Sequence, residues 1–131
     1  MPIELNHTIV ASHDQDAGAA FLTEILGLDA PTRFGPFTVV EVAHGLSLDY
    51  MTTTEAIPMQ HYAFLVGDEE FQPIMDRIRA RGLPTWADPH HHRLGENDND
   101  GGRGAYFDSP EGHNLEILTR PYGSGSASPG A

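Results

Sequence analysis

The 131-residue chain has no cysteine, no lysine, one tryptophan, and no apolar run near the about 18 residues that suggest a membrane span. Without cysteine there are no disulfides and no thiolate chemistry, so any bound metal must be held by His, Asp or Glu. Without lysine, all seven basic residues are arginines scattered along the chain; with 19 acidic residues they leave a net charge of −12. That balance argues against a nucleic-acid partner, because such binding draws on clustered Lys and Arg. Arg77, Arg79 and Arg81 come nearest to a cluster, and they fall on a predicted helix whose other face is apolar. The first residues carry neither a basic start nor an apolar core, so no signal peptide and no membrane partner are expected, and a cytoplasmic location is.

What is present reads as one domain over residues 1–122. Glu4 to Val10 alternates as a strand, Ser12 or Asp14 offers an N-cap, and Ala17 to Leu26 has helical spacing with Gly27 as its stop. Pro31 and the pair Gly35 and Pro36 break the chain. Phe37 to Val42 and Leu46 to Met51 read as strands. A second round follows: strand His61 to Val66, a helix capped by Asp68 and ended by Gly82, a short strand Thr85 to Ala87, a polar loop His90 to Gly102, and a hairpin ending at Leu118. In that hairpin Pro110 and Gly112 supply the turn. The last nine residues, Gly123 to Ala131, are only Gly, Ser, Ala and Pro and are expected to be a disordered tail.

The two rounds keep the same spacing. His7 lies seven residues before Asp14, and His61 lies seven before Asp68. His7 precedes Asp49 by 42 residues and His61 precedes Glu116 by 55, the excess of 13 being about the length of the polar loop. Each half therefore begins with a histidine and ends with a carboxylate in mid-strand. The first half spans about 3–53 and the second about 60–120. A pseudo-two-fold between them would bring His7, His61 and Glu116 to one central cavity, with Asp49 as the counterpart of Glu116. Two imidazoles and a carboxylate suit a divalent metal and leave positions open for substrate or O₂. A carboxylate flanked by Leu115 and Ile117 needs a partner if it is buried, because an unpaired buried charge is expensive.

Carried by His7, the stretch Phe21 to Leu28, His61 and the hairpin ending at Glu116, the chain resembles the vicinal oxygen chelate superfamily. That group holds glyoxalase I, methylmalonyl-CoA epimerase, fosfomycin resistance proteins, extradiol dioxygenases and bleomycin resistance proteins. The resemblance covers residues 3 to about 120. It implies an α+β fold of two βαβββ modules forming a cupped, incompletely closed β-barrel around a central cavity. It also implies one divalent ion (Fe, Mn, Ni or Zn) chelated by substrate oxygens, and a homodimer whose site can draw on modules of both chains. Asp49 stands where glyoxalase-like relatives place a fourth ligand, usually Glu or Gln, and is one methylene shorter. Tyr106 stands where relatives carry a tyrosine that hydrogen-bonds a metal-bound oxygen.

The function these features imply is that of a metal-dependent, glyoxalase- or dioxygenase-like enzyme on a small oxygen-rich molecule. Its metal ligands would be His7, His61, Glu116 and Asp49, and its catalytic residues Glu116 and Tyr106. The alternative is a metal-free protein that sequesters an antibiotic, as bleomycin resistance relatives do. Ring-cleaving relatives place a histidine several residues before the tyrosine, where this chain has Asn97, Asp98 and Asn99. Fosfomycin-type thiol transfer is disfavoured by the lack of lysine to hold a phosphonate. The run His90, His91 and His92 lies in the polar loop and reads as solvated, His44 and His113 read as exposed turn residues, and Trp86, Tyr50 and Tyr62 as core or cavity wall. Arg120 and Tyr122 read as a cover for the cavity mouth.

Overall fold

The computed structural model describes residues 2–125, so the end of the expected tail, 126–131, lies outside the described residues. The strands β1 (His7–Ser12), β2 (Thr32–Phe34), β3 (Phe37–Glu41) and β4 (Ser47–Thr52) and the helix α1 (Gln15–Leu26) come first. Then follow β5 (His61–Leu65), α2 (Asp68–Ala80), β6 (Gly104–Asp108) and β7 (Asn114–Leu118). The architecture is α+β, with two sheets and two principal helices. Two compact units divide the chain: residues up to Pro58 together with Ser109–Gly112, and Met59–Asp108 together with the chain from His113 on. Among the described residues no helix is long and apolar enough to cross a membrane.

In the first unit the strand order is β1-β4-β3-β2, with β1 and β4 parallel. Helix α1 begins where expected from its polar cap: the Asp14 carboxylate accepts the Ala17 N–H at 3.1 Å. It ends at Gly27, whose φ of 73° is the left-handed conformation that a residue without Cβ adopts freely. Phe21, Leu22 and Ile25 are buried on its inner face, each contributing about 1.5–3 kcal/mol relative to exposure. Strand β2 was not legible in the sequence. Three exposed residues between Pro31 and Gly35 are too few to show a period, and they form a strand only because β3 pairs with them. Strand β1 starts at His7 rather than Glu4, since its parallel pairing with β4 begins at His7 opposite Ser47.

The second unit repeats this topology. Its order is β5-β7-β6, with β5 and β7 parallel, and Trp86 pairs with Tyr106 through backbone bonds of 2.9 and 2.8 Å in the place of a fourth strand. Helix α2 is capped by Gly67 rather than by Asp68, because Glu70 folds back to accept the Gly67 N–H at 2.7 Å. Asp68 is the first helical residue and is paired to Arg120 at 2.9 Å. Phe71, Ile74, Met75 and Ile78 are fully buried, as are Ala105, Phe107 and Ile117 on one face of the sheet, and these make the core of the unit. After β7, the amides of Gly123 and Gly125 donate to the Asp100 carboxylate at 3.2 and 2.8 Å.

Register carries the repeat to the level of single residues. In the first unit Asp49 stands opposite Ile9, two residues after His7. In the second, Glu116 stands opposite Ala63, two residues after His61. Since side chains alternate along a strand, each carboxylate shares a sheet face with its own unit's histidine.

Candidate functional site

The non-core face of the second sheet holds the densest set of chemical groups. His61 opens β5, Glu116 is central in β7, and Tyr106 on β6 is paired directly with Glu116. The pleat puts all three on the same side. His61 Nε2 lies 2.9 Å from Glu116 Oε1, and the His61 and Tyr106 rings stack with centroids 5.8 Å apart. Glu116 is 9% exposed, so the carboxylate is not on a solvated face and must have partners.

The other nitrogen of His61 fixes its protonation pattern. Nδ1 sits 2.9 Å from the backbone carbonyl of Asn114, which can only accept, so the Nδ1–H donates there. In a neutral imidazole Nε2 then bears a lone pair facing a carboxylate oxygen. Two acceptors at that separation require a metal ion or a proton between them. Cis ligands at about 2.1 Å from one metal ion are about 3 Å apart, which the observed separation matches. An N–H to backbone carbonyl bond behind the ring is also the usual support of a metal-binding histidine. The pair therefore fits a divalent ion in donor type and tautomer. Burial, then the Glu116 charge and hydrogen bonding toward that carboxylate, push the pKa of the Tyr106 hydroxyl up to about 12. It stays a neutral donor at any ordinary pH.

His7 and Asp49 belong to the first unit. His7 is exposed, its Nδ1 bonded to Asn6 Oδ1 at 2.7 Å. Asp49 is 8% exposed and accepts the Ser47 hydroxyl at 2.8 Å. The chain thus brings together His61, Glu116 and Tyr106, but among the described residues no group of three His, Asp or Glu side chains is placed to hold a metal. A hollow of about 360 Å³ elsewhere in the second unit, with Arg93, Glu96 and Arg103 in its wall, contains none of these residues. Glu96 and Arg103 neutralise each other there at 2.7 Å.

Several side chains are placed otherwise than the sequence suggested. His113 is 1% exposed, not an open turn residue: its Nδ1 accepts the Gln60 N–H at 3.1 Å and its ring meets Tyr62 edge-on. His91 is not simply solvated either. Its ring lies flat on Trp86, 3.9 Å between centroids at 4°, and its Nε2 reaches Asn114 Oδ1 at 3.0 Å. Trp86 shares the Tyr106 and Glu116 row, Tyr50 is core, and Tyr122 is exposed. Asn114 and His91 were missed as contributors to the site. Nothing in their spacing marks them, because their roles come from backbone and loop geometry.

Comparison with known proteins agrees with this architecture. The profile of the Glyoxalase/Bleomycin resistance protein/Dioxygenase superfamily matches residues 4–117. Among solved structures, "Oxidase ChaP-H1" is 61% identical, with a TM-score of 0.91, over 93% of this chain and 99% of that one. "Oxidase ChaP-H2" is 60% identical, with a TM-score of 0.93, over 96% of this chain and 100% of that one. The glutathione transferase FosA of Serratia marcescens is 29% identical over 119 residues, covering 86% of this chain and 78% of that protein.

Proposed function

Because the chain belongs to the glyoxalase/bleomycin resistance protein/dioxygenase superfamily, we propose that it is a metal-dependent enzyme oxidising a small molecule that chelates the metal through oxygen atoms. The observation that carries this reading is the His61 and Glu116 pair, with the imidazole lone pair turned to the carboxylate by the Asn114 carbonyl. The high identity to two proteins named as oxidases favours oxidation over isomerisation or thiol transfer.

In this reading His61 and Glu116 hold the ion together with His7, contributed by the same chain or by a second copy in a homodimer. Asp49 is the fourth candidate, by its equivalence to Glu116. A divalent ion bound there supplies Lewis-acid polarisation of substrate oxygens and, with a redox-active metal, electron exchange with O₂. Tyr106 contributes a neutral O–H, placed in the same row as Glu116 to donate to a substrate oxygen that carries developing charge. The His61 ring, held at Nδ1 and stacked on Tyr106, keeps Nε2 on the metal side without rotating.

Metal analysis of protein loaded with Fe²⁺ or Mn²⁺ tests the proposal. Stoichiometric metal in the wild type and its loss in His61→Ala, Glu116→Ala and His7→Ala are expected. Equal metal content in all four would overturn it. Thermal stabilisation by antibiotics but by no divalent ion would replace it with the sequestering reading.

A further inference from the structure

We infer that His91 is a positioning residue for His61, acting through Asn114; the inference rests on reading His61 as a metal ligand. Every polar group of Asn114 is engaged. Its N–H donates to the Gln60 carbonyl at 2.9 Å and its own carbonyl accepts the His61 Nδ1–H at 2.9 Å. Its side-chain Nδ2 donates to the Pro89 carbonyl at 3.2 Å. A carbonyl only accepts, so the amide orientation is fixed and Oδ1 faces His91. His91 Nε2 must therefore carry the proton that this 3.0 Å bond needs. Asn114 is 7% exposed, so water is a poor substitute for that donor.

The loop that delivers His91 is built for the purpose. The Asp88 carboxylate accepts the N–H groups of His92 and Arg93 at 2.9 and 2.7 Å. Ala87 N–H closes the loop on the Arg93 carbonyl at 2.7 Å. His91 adopts φ of 60°, a conformation that side chains with Cβ avoid, and the flat stack on Trp86 holds it there. Trp86 is itself fixed to Tyr106 by two backbone bonds. His91 thus links the strand row containing Tyr106 and Glu116 to the residue whose carbonyl orients His61. The Asp108 carboxylate, 3.8 Å from His91 Nδ1, is too far for a hydrogen bond and leaves the Nε2 contact as the directed one.

Two variants separate positioning from mere loop support. His91→Phe keeps the aromatic stack on Trp86 and removes the donor, while His91→Gln keeps an N–H donor and loses most of the stack. Proton NMR of the full-length protein without added metal follows solvent exchange of the His61 Nδ1–H, assigned by its loss in His61→Gln. Exchange about tenfold or more faster in His91→Phe, and near wild type in His91→Gln, is expected. Co²⁺ titration should show affinity weakened about 10–100-fold in His91→Phe and restored in His91→Gln. Unchanged exchange in His91→Phe overturns the inference, as does faster exchange in both variants alike. If the wild type and His61→Gln take up Co²⁺ equally, the metal reading fails while the exchange measurement still decides the role of His91.

Discussion

Glu116 of β7 stands directly across the sheet from Tyr106 of β6, and its charge adds to burial in raising the Tyr106 pKa. One carboxylate therefore serves two neighbours, since His61 Nε2 lies 2.9 Å from its Oε1. The arrangement keeps the phenol neutral.

Stability at alkaline pH should report this arrangement. Below pH 10.0, the ordinary phenol value, Tyr106 is protonated in both folded and unfolded chains. Between 10.0 and about 12 the unfolded chain releases the proton while the folded one retains it, so stability falls as pH rises through that window. Tyr106→Phe should remove this slope, read from denaturant midpoints across the window. Glu116→Gln should lower the phenol pKa in ultraviolet titration, because the carboxylate charge is removed while burial remains. An unmoved phenol titration would show that Glu116 does not govern it.

Arg103 ties three neighbours together. Its guanidinium makes two bonds to Glu96 at 2.7 and 2.8 Å, a third to Gln72 at 2.8 Å, and lies 4.4 Å above the Phe71 ring. The Arg103 hydrogen bond holds the Glu96 carboxyl below its ordinary 4.5. That contribution is present above pH 4.5 and is lost as pH falls below it. Both partners are partly exposed, so screening limits it to roughly 1 kcal/mol. Arg103→Met should flatten this part of the acid-unfolding profile, and Glu96→Gln in the Arg103→Met background should then cost little more.

Gly104 is required by a side chain, not by backbone conformation. A Cβ there would lie 2.8 Å from Asn97 Oδ1. Asn97 cannot move freely, since its Nδ2 donates to the Ala87 carbonyl at 2.8 Å and its Oδ1 accepts the Asn99 N–H at 3.1 Å. Gly104→Ala should destabilise by about 1–3 kcal/mol by unpairing the Ala87 carbonyl. Adding Asn97→Ala should cost less than the sum of the two single changes, a double-mutant cycle measured by denaturant unfolding.

Phe71 is fully buried in α2 beside Ile74, Met75 and Ile78. Phe71→Ala should lose about 3–5 kcal/mol through the cavity it leaves. It also removes the ring under Arg103, so a calorimetric scan should show a loss at the upper end of that range.

Much of the fold could be read from local signals. Asp14 and Gly27 bracket α1 in sequence as they do in space, and the helical spacing of Phe71, Ile74, Met75 and Ile78 marks the buried side of α2. Where a boundary depended on a distant partner, local signals gave less. β2 exists through β3, β1 begins where β4 meets it, and α2 is capped by Glu70 reaching back to Gly67. His113 sits in a turn and is buried all the same, because the Gln60 N–H needs an acceptor there.

By itself the sequence determined the repeat: a histidine at the head of each unit and a carboxylate in mid-strand, spaced so that Asp49 and Glu116 take equivalent rows. Alternation along a strand is a local property, so such spacing survives folding unchanged. Only the tertiary structure decided that Glu116 is buried and meets His61 and Tyr106, that the Asn114 carbonyl sets the His61 tautomer, and that His91 reaches Asn114 from a loop. Those relationships join residues far apart in the chain through hydrogen bonds whose direction depends on register and loop path, and no one-dimensional spacing encodes either.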